Sequence, residues 1–236
     1  RPEKYHSFVR EMALQLQEVL VNCKEDKAVR AILITATGKA FCAGQDLGEA
    51  TDPNGPNLTQ IVQEHYNPII RKIRDIEKPI VAAVNGVAAG AGASIALACD
   101  IVVATESASF IQAFSKIGLI PDSAGTFFLP RLVGMQKAAA LMMTAEPVSA
   151  KDAADMGMIY KAFSDEDFEK DSWKLVSKLA IMPTKGLGLT KRLLNASYSN
   201  NLEQQLEMED QCQTIAGNSA DFKEGVQAFL EKRKPN

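Results

Sequence analysis

Two glycine-bearing runs are the places where this sequence could do chemistry with its backbone: Ala43-Gly44-Gln45-Asp46 and Gly86 through Gly92. Each follows a short apolar run, and the second opens a helix of small residues. Glycine lets the chain approach a ligand closely and leaves N–H groups turned outward. A helix N-terminus adds a partial positive charge. Two such turns brought together would hold a developing oxyanion. Small residues also let a helix pack on a strand, and glycine content alone favours that plainer use.

Among side chains, a carboxylate occurs at Asp122, in Gly118-Leu119-Ile120-Pro121-Asp122, immediately before a predicted helix. On local sequence it reads as the cap of a helix starting near Ser123. The histidines point elsewhere. His65 lies on an apolar helical stripe, which suits a core or interface role, and His6 is expected to be exposed or locally bonded. No G-x-S-x-G elbow supports a Ser-His-Asp triad. Gly90-Ala91-Gly92 lacks the GK[ST] ending of a phosphate loop and the spacing of a dinucleotide fingerprint. Cys23, Cys42, Cys99 and Cys212 show no CxxC spacing. They read as reduced thiols of a cytoplasmic protein, with no zinc site.

The elements that must position these residues alternate. Ser7 is a plausible cap for a first helix carrying Phe8, Met12, Leu16, Val19 and Cys23 on one face. Ala31–Thr35 and Pro79–Val84 read as buried strands, and Asp100–Ala104 as a third strand. A loop carries Phe41 to Asp46, and Thr51–Pro56 is turn-rich. A second helical stripe, Leu58 to Ile76, is interrupted at Pro68. Strand and helix alternation implies an α/β core with mostly parallel pairing. From Ser149 onward the pattern is mainly helical, ending in a helix over Ala220–Leu230. A chain of 236 residues with 46% apolar content can bury a sizeable core. Its net charge of −3 argues against general attraction to nucleic acid or anionic membrane. No apolar run is long enough to span a bilayer.

Ordered motifs over essentially the whole chain resemble the crotonase (enoyl-CoA hydratase/isomerase) superfamily. Lys39-Ala40-Phe41-Cys42-Ala43-Gly44-Gln45-Asp46-Leu47 is similar to its F-C/S-A-G-x-D-L/I signature. Lys78 through Gly92 is similar to the second signature, with Cys99-Asp100-Ile101, Phe110, Gly118 and Gly125-Thr126 continuing the match. The resemblance implies a crotonase spiral of ββα units over 1–182, lacking the N-terminal hairpin usual in the family. It also implies a helical C-terminal trimerisation region over 183–236. The assembly expected is a trimer or dimer of trimers. The implied substrate is an acyl-CoA thioester, with coenzyme A part of the substrate and no separate cofactor. The implied oxyanion amides are Gln45 and Ala91. Ala43, Gln45, Asp46, Leu47, Gly90, Phe114 and Lys232 are the implied substrate and CoA contacts.

Family hydratases carry two glutamates where this chain has Ser94 and Phe114, so the resemblance disfavours hydration. It points to Asp122 as the single base of an isomerase. Asn85–Ala98, Ala113–Asp122, Gly186–Leu189 and Ala216–Val226 resemble the branch that isomerises ring-epoxide acyl-CoA in phenylacetate catabolism. The other expectations are a Δ3,Δ2-enoyl-CoA isomerase or hydratase of fatty-acid oxidation, and an RNA-binding homologue without catalysis.

Overall fold

In the computed structural model, which describes residues 1–235, the apolar runs form short strands. In chain order these are β1 (Ile32–Ile34), β2 (Ala40–Cys42), β3 (Ile80–Val84), β4 (Val87–Ala89), β5 (Ile101–Thr105), β6 (Ser109–Ile111), β7 (Val148–Ser149) and β8 (Lys161–Phe163). They sort into two four-stranded sheets, ordered β1-β3-β5-β8 and β2-β4-β6-β7. Strand pairs β1/β2, β3/β4 and β5/β6 each give their first member to one sheet and their second to the other. Every pairing is parallel except β6 with β7. This is the expected spiral of ββα units. Parallel neighbours need crossovers, and helices supply them.

The first helix, α1 (Arg10–Glu25), precedes β1. Between β2 and β3 run α2 (Leu47–Ala50), α3 (Leu58–Gln60), a π-helical stretch (Ile61–Tyr66) and α4 (Asn67–Asp75). Helix α5 (Ala91–Leu97) joins β4 to β5. A 3₁₀ turn (Ala113–Ile117), α6 (Gly125–Val133) and α7 (Met135–Thr144) lie between β6 and β7, and α8 (Ala150–Asp155) between β7 and β8. Helices α9 (Phe168–Ile181), α10 (Thr184–Ala196), α11 (Leu202–Gly217) and α12 (Ala220–Leu230) complete the chain.

The core sits around β3 and α5, whose residues are all buried. Ile69 and Ile73 of α4 are fully covered. Trimming either to alanine costs about 2–5 kcal/mol. Strand β1 lies at a sheet edge with only Ile32 buried, so the expectation of burial on both faces holds for β3 and not for β1. Helix α10 starts just beyond the expected boundary at 182 and is tied to the sheet by buried charge. Lys191 Nζ lies 2.8 Å from Asp100 Oδ2 and donates to the Ile73 carbonyl at 2.6 Å. Arg74 reaches Asp100 Oδ1 at 3.2 Å.

Three local expectations are corrected. Ser7 does not cap α1: Val9 holds the cap position without a side-chain bond, and Glu49 accepts the Arg10 N–H at 2.8 Å instead. The Ser7 hydroxyl turns to Asp46. His6 is buried rather than exposed, but it is locally bonded, with Nδ1 3.3 Å from the Arg1 nitrogen, and its Nε2 lies 2.8 Å from the Thr37 carbonyl. The second helical stripe does not break at Pro68 but widens into the π stretch just before it. Proline has no N–H to give the carbonyl four residues back. That carbonyl, of Glu64, accepts from Gln17 Nε2 at 2.7 Å, while Asn67 N–H bonds to the Val62 carbonyl.

Candidate active site

The first glycine turn is set by residues far upstream. Phe8 N–H donates to the Gly44 carbonyl at 2.7 Å, and Asp46 N–H donates to the Phe8 carbonyl at 2.8 Å. This parallel bridge turns the Gln45 N–H away from Phe8, since alternate residues of an extended chain point their amides to opposite sides. Gly44 has φ 92°, open to glycine at no cost.

The second turn leads from β4 into α5. Gly90, at φ 53° and ψ −128°, is the residue before the first helical turn, so the Ala91 N–H begins the helix without an intrahelical acceptor. The two turns touch. A Cβ placed on Gly44 would stand 3.5 Å from the Ala91 nitrogen and 3.1 Å from the Ala89 carbonyl oxygen. Among the described residues, neither the Gln45 nor the Ala91 N–H has an acceptor. Two free amides on contacting turns, one at a helix N-terminus, suit a forming oxyanion.

Asp122 lies in the turn between the 3₁₀ stretch and α6. It does not cap α6. That helix starts at Gly125, its cap position is Ala124, and no side chain bonds there. The capping reading of Asp122, with a helix beginning near Ser123, is therefore overturned. Ser123 and Ala124 both take left-handed backbone, at φ 51° and 60°. Such a conformation costs about 1–2 kcal/mol per non-glycine residue. The turn closes through Gly125 N–H to the Asp122 carbonyl at 2.8 Å. The Asp122 carboxylate accepts from the Ser123 hydroxyl at 2.9 Å. Burial pushes its pKa above the usual carboxylate range, and the Ser123 bond opposes that rise.

The walls follow from α5, β6 and the 3₁₀ turn. Ser94, fully buried in α5, lies against α6: its hydroxyl would be 2.7 Å from a Cβ on Gly125. Ser94 Oγ and Gln112 Oε1 have no hydrogen-bond partner among the described residues. Phe114 is buried, with its ring tip 3.8 Å from where a Cβ on Gly90 would be. Beside Phe114, the apolar side chains Ile117 and Leu119 are open to solvent in the single chain. Ile117 is 53% exposed and Leu119 39%.

The remaining sequence-derived contacts scatter. Ala43 is exposed and donates its N–H to the Tyr5 carbonyl. The Asp46 carboxylate is engaged by Arg1 at 2.8 Å and caps α2 through the Glu49 N–H, and the Arg1 bond is the main cause of its lowered pKa. Leu47 is exposed at the start of α2. Lys232 is exposed just past α12, beside Arg233, which pairs with Glu224 and Glu231. Two further residues escaped sequence reasoning. Tyr66 donates to Gln45 Oε1 at 2.7 Å, and Glu49 accepts from Gln45 Nε2 at 2.9 Å. Tyr66 lies one residue from the His65 that was assigned to the core, and only the tertiary fold brings it to Gln45.

Strand pairs that alternate between two sheets are the arrangement that the resemblance to the crotonase superfamily implies. Residues 1–236 match the enoyl-CoA hydratase/isomerase family. The chain is 47% identical over 238 residues to the 1,2-epoxyphenylacetyl-CoA isomerase of Escherichia coli, spanning 100% of this chain and 91% of that protein. It is 44% identical over 236 residues to a protein of Rhodobacter capsulatus named probable enoyl-CoA hydratase, with coverage of 100% and 91%. The solved enoyl-CoA hydratase from Bacillus anthracis superposes with a TM-score of 0.93 at 31% identity, over 100% of this chain and 92% of that one. This chain belongs to the enoyl-CoA hydratase/isomerase family, and it is an isomerase of the crotonase fold. Among the described residues, no helix is long and apolar enough to cross a membrane.

Proposed function

We propose that the protein isomerises 2-(1,2-epoxy-1,2-dihydrophenyl)acetyl-CoA in phenylacetate catabolism, using Asp122 as its one base. The observation that carries this reading is the half-buried Asp122 carboxylate, its pKa raised by desolvation and its side chain without a capping duty. Ser94 and Phe114 stand where the resemblance puts the two glutamates of hydratases, and neither can activate and orient water. Likeness to a relative that bears the epoxide isomerase's name supports the ring substrate.

In this reading the thioester carbonyl oxygen accepts from the Gln45 and Ala91 N–H groups. That lowers the cost of placing negative charge on the oxygen. Asp122 removes a proton from the carbon next to the carbonyl, and the electron pair delocalises into the enolate. For the ring substrate, the C–C bond shared by the epoxide and the six-membered ring opens as its electrons shift into the seven-membered oxepin, and the same proton returns to a ring carbon, leaving a double bond outside the ring in conjugation with the thioester. Atoms and charge balance without water, metal or redox partner, and one carboxylate suffices because it gives back what it takes. Coenzyme A enters as part of the substrate. Lys232 would meet its phosphates, and Phe114 would face the ring.

The reading includes self-association into a trimer or dimer of trimers. Phe229 and Leu230 of α12 are 83% and 70% exposed, and Leu202, Leu206 and Phe222 add apolar surface on α11 and α12. Patches of this kind mark contact surfaces. Light scattering on the purified protein would measure the mass. For the activity, the protein is assayed on the ring-epoxide thioester, a linear 3-enoyl-CoA and crotonyl-CoA. Turnover of the ring substrate above the linear one, with no hydration of crotonyl-CoA, is expected. Preference for the linear substrate would make this a Δ3,Δ2-enoyl-CoA isomerase, and efficient hydration would overturn the single-base mechanism.

A further inference from the structure

Resting on the isomerase reading, we propose that Tyr66 is a positioning residue for the reaction, fixing the direction of the Gln45 N–H through the Gln45 side chain. The Gln45 amide is held at both ends. Its Oε1 accepts from the Tyr66 hydroxyl at 2.7 Å, and its Nε2 donates to Glu49 Oε2 at 2.9 Å. Glu49 in turn accepts the Arg10 N–H at 2.8 Å, so the start of α1 anchors the far end. The chemistry leaves one orientation for the amide. A carboxylate can only accept, so the nitrogen must face Glu49 and the oxygen must face the phenol.

Tyr66 also holds the turn by a second route. Its ring meets Phe8 edge-to-face, with centroids 5.7 Å apart, and Phe8 is the residue whose backbone brackets Gln45. The phenol is fully buried. Burial first, then Cys42, Asp122 and Glu49, push its pKa up, so it remains a hydrogen-bond donor at working pH. Tyr66 closes the π-helical stretch that Pro68 imposes, and π segments recur at functional sites. Because oxyanion stabilisation depends on donors aimed at the charge that develops, rotating the Gln45 peptide weakens the transition state more than the bound substrate.

The test compares Tyr66→Phe, Gln45→Met and the double variant in the full chain. Tyr66→Phe keeps the ring on Phe8 and removes only the hydroxyl. Each single variant is expected to lower kcat about tenfold with KM within about twofold. The double variant should lose no more than the worse single, since both break one connection. A readout independent of turnover is the infrared carbonyl band of bound phenylacetyl-CoA labelled at the thioester carbon. Its shift to lower frequency should shrink in both single variants while affinity is kept. If Tyr66→Phe does not fold, Gln45→Met decides by the same two measurements. A normal kcat and an unchanged band in the variants would make Tyr66 a packing clasp only. Additive losses in the double variant would mean that it does not act through Gln45. Asp122→Asn, run alongside, separates the two ideas. Normal turnover there sinks the isomerase mechanism, whereas loss there with normal Tyr66 and Gln45 variants sinks the inference alone. Wild-type protein that neither binds phenylacetyl-CoA nor shifts its band overturns both.

Discussion

Replacing Asp122 with asparagine separates the two duties a carboxylate could have at this position. A helix cap would lose little, because asparagine caps as well as aspartate. The structure removes even that concern, since no side chain caps α6. The contact Asp122 does make, to the Ser123 hydroxyl at 2.9 Å, can be kept by the asparagine carbonyl oxygen. The fold should therefore change by less than about 1 kcal/mol from lost hydrogen bonding. Burial raises the folded-state pKa. The stabilising effect of that shift is full below the unfolded pKa and is lost as pH rises through the folded one. Burial disfavours the ionised carboxylate, so above the folded-state pKa Asp122→Asn should be as stable as the wild type or more stable. Any gain should vanish in acid. Chemistry should behave oppositely. Losing a general base costs about 10²–10⁴ in kcat, or about 2.7–5.4 kcal/mol of barrier. Wild-type kcat/KM should rise with pH through a pKa above the ordinary carboxylate range, and the variant should lack that limb. The assay is kcat and kcat/KM against pH on the ring-epoxide thioester, with melting curves at the same pH values. Near-normal turnover in Asp122→Asn would refute the role of Asp122 as base.

Gln45→Pro should lower kcat by about 10²–10³, the loss usual for one oxyanion donor. The Gln45 N–H takes no part in the bridge to Phe8, but proline also removes the side chain that pairs with the buried Tyr66 hydroxyl, so a stability loss of about 1–3 kcal/mol is expected beside the loss of rate. Lys191→Met should cost about 3–5 kcal/mol by leaving part of Asp100 unpaired in the interior. That is a fall in Tm of roughly 10 °C by calorimetry. Lys232→Gln with Lys234→Gln should weaken CoA binding at low salt, with the difference shrinking as ionic strength rises. Identical salt series for variant and wild type in a CoA titration would show a solvated tail instead. Arg233 is left intact in that test because it pairs with Glu224 and Glu231.

Long elements were legible in the sequence because periodicity accumulates with length. The final helix falls over Ala220–Leu230 as read, and β3 follows the run from Pro79 to Val84. Strands of two or three residues give no periodicity to read. Thus β2 passed for a loop, β4 was folded into the glycine turn before α5, and β7 and β8 lay hidden in a stretch taken as helical. Parallel pairing was expected from alternation, but the division of strands between two sheets was not. It depends on turns such as Asn85-Gly86, which hand the chain from one sheet to the other. The π stretch was likewise beyond a local pattern. Pro68 marks the disturbance, but only Gln17, 47 residues before Glu64, supplies the donor for the stranded carbonyl.

The site divides in the same way. Gly44 and Gly90 were visible because their residue type is what a left-handed backbone demands. Asp122 was visible as a carboxylate, yet its local context suggested a cap, since proline, aspartate and serine ahead of a helix usually make one. The left-handed backbone of Ser123 and Ala124 is what defeats that expectation. Neither residue announces such a conformation, and a less strained turn could use the aspartate to cap α6. Here the chain accepts about 1–2 kcal/mol at each position and leaves the carboxylate half-buried with one hydroxyl partner. Strain of this kind persists where surrounding packing over-determines it, and Ser123 is buried at 1% exposure. A carboxylate so held is desolvated, free of structural duty and near enough to the tyrosine that grips Gln45 to raise its pKa. Those are the conditions under which one group can both take and return a proton.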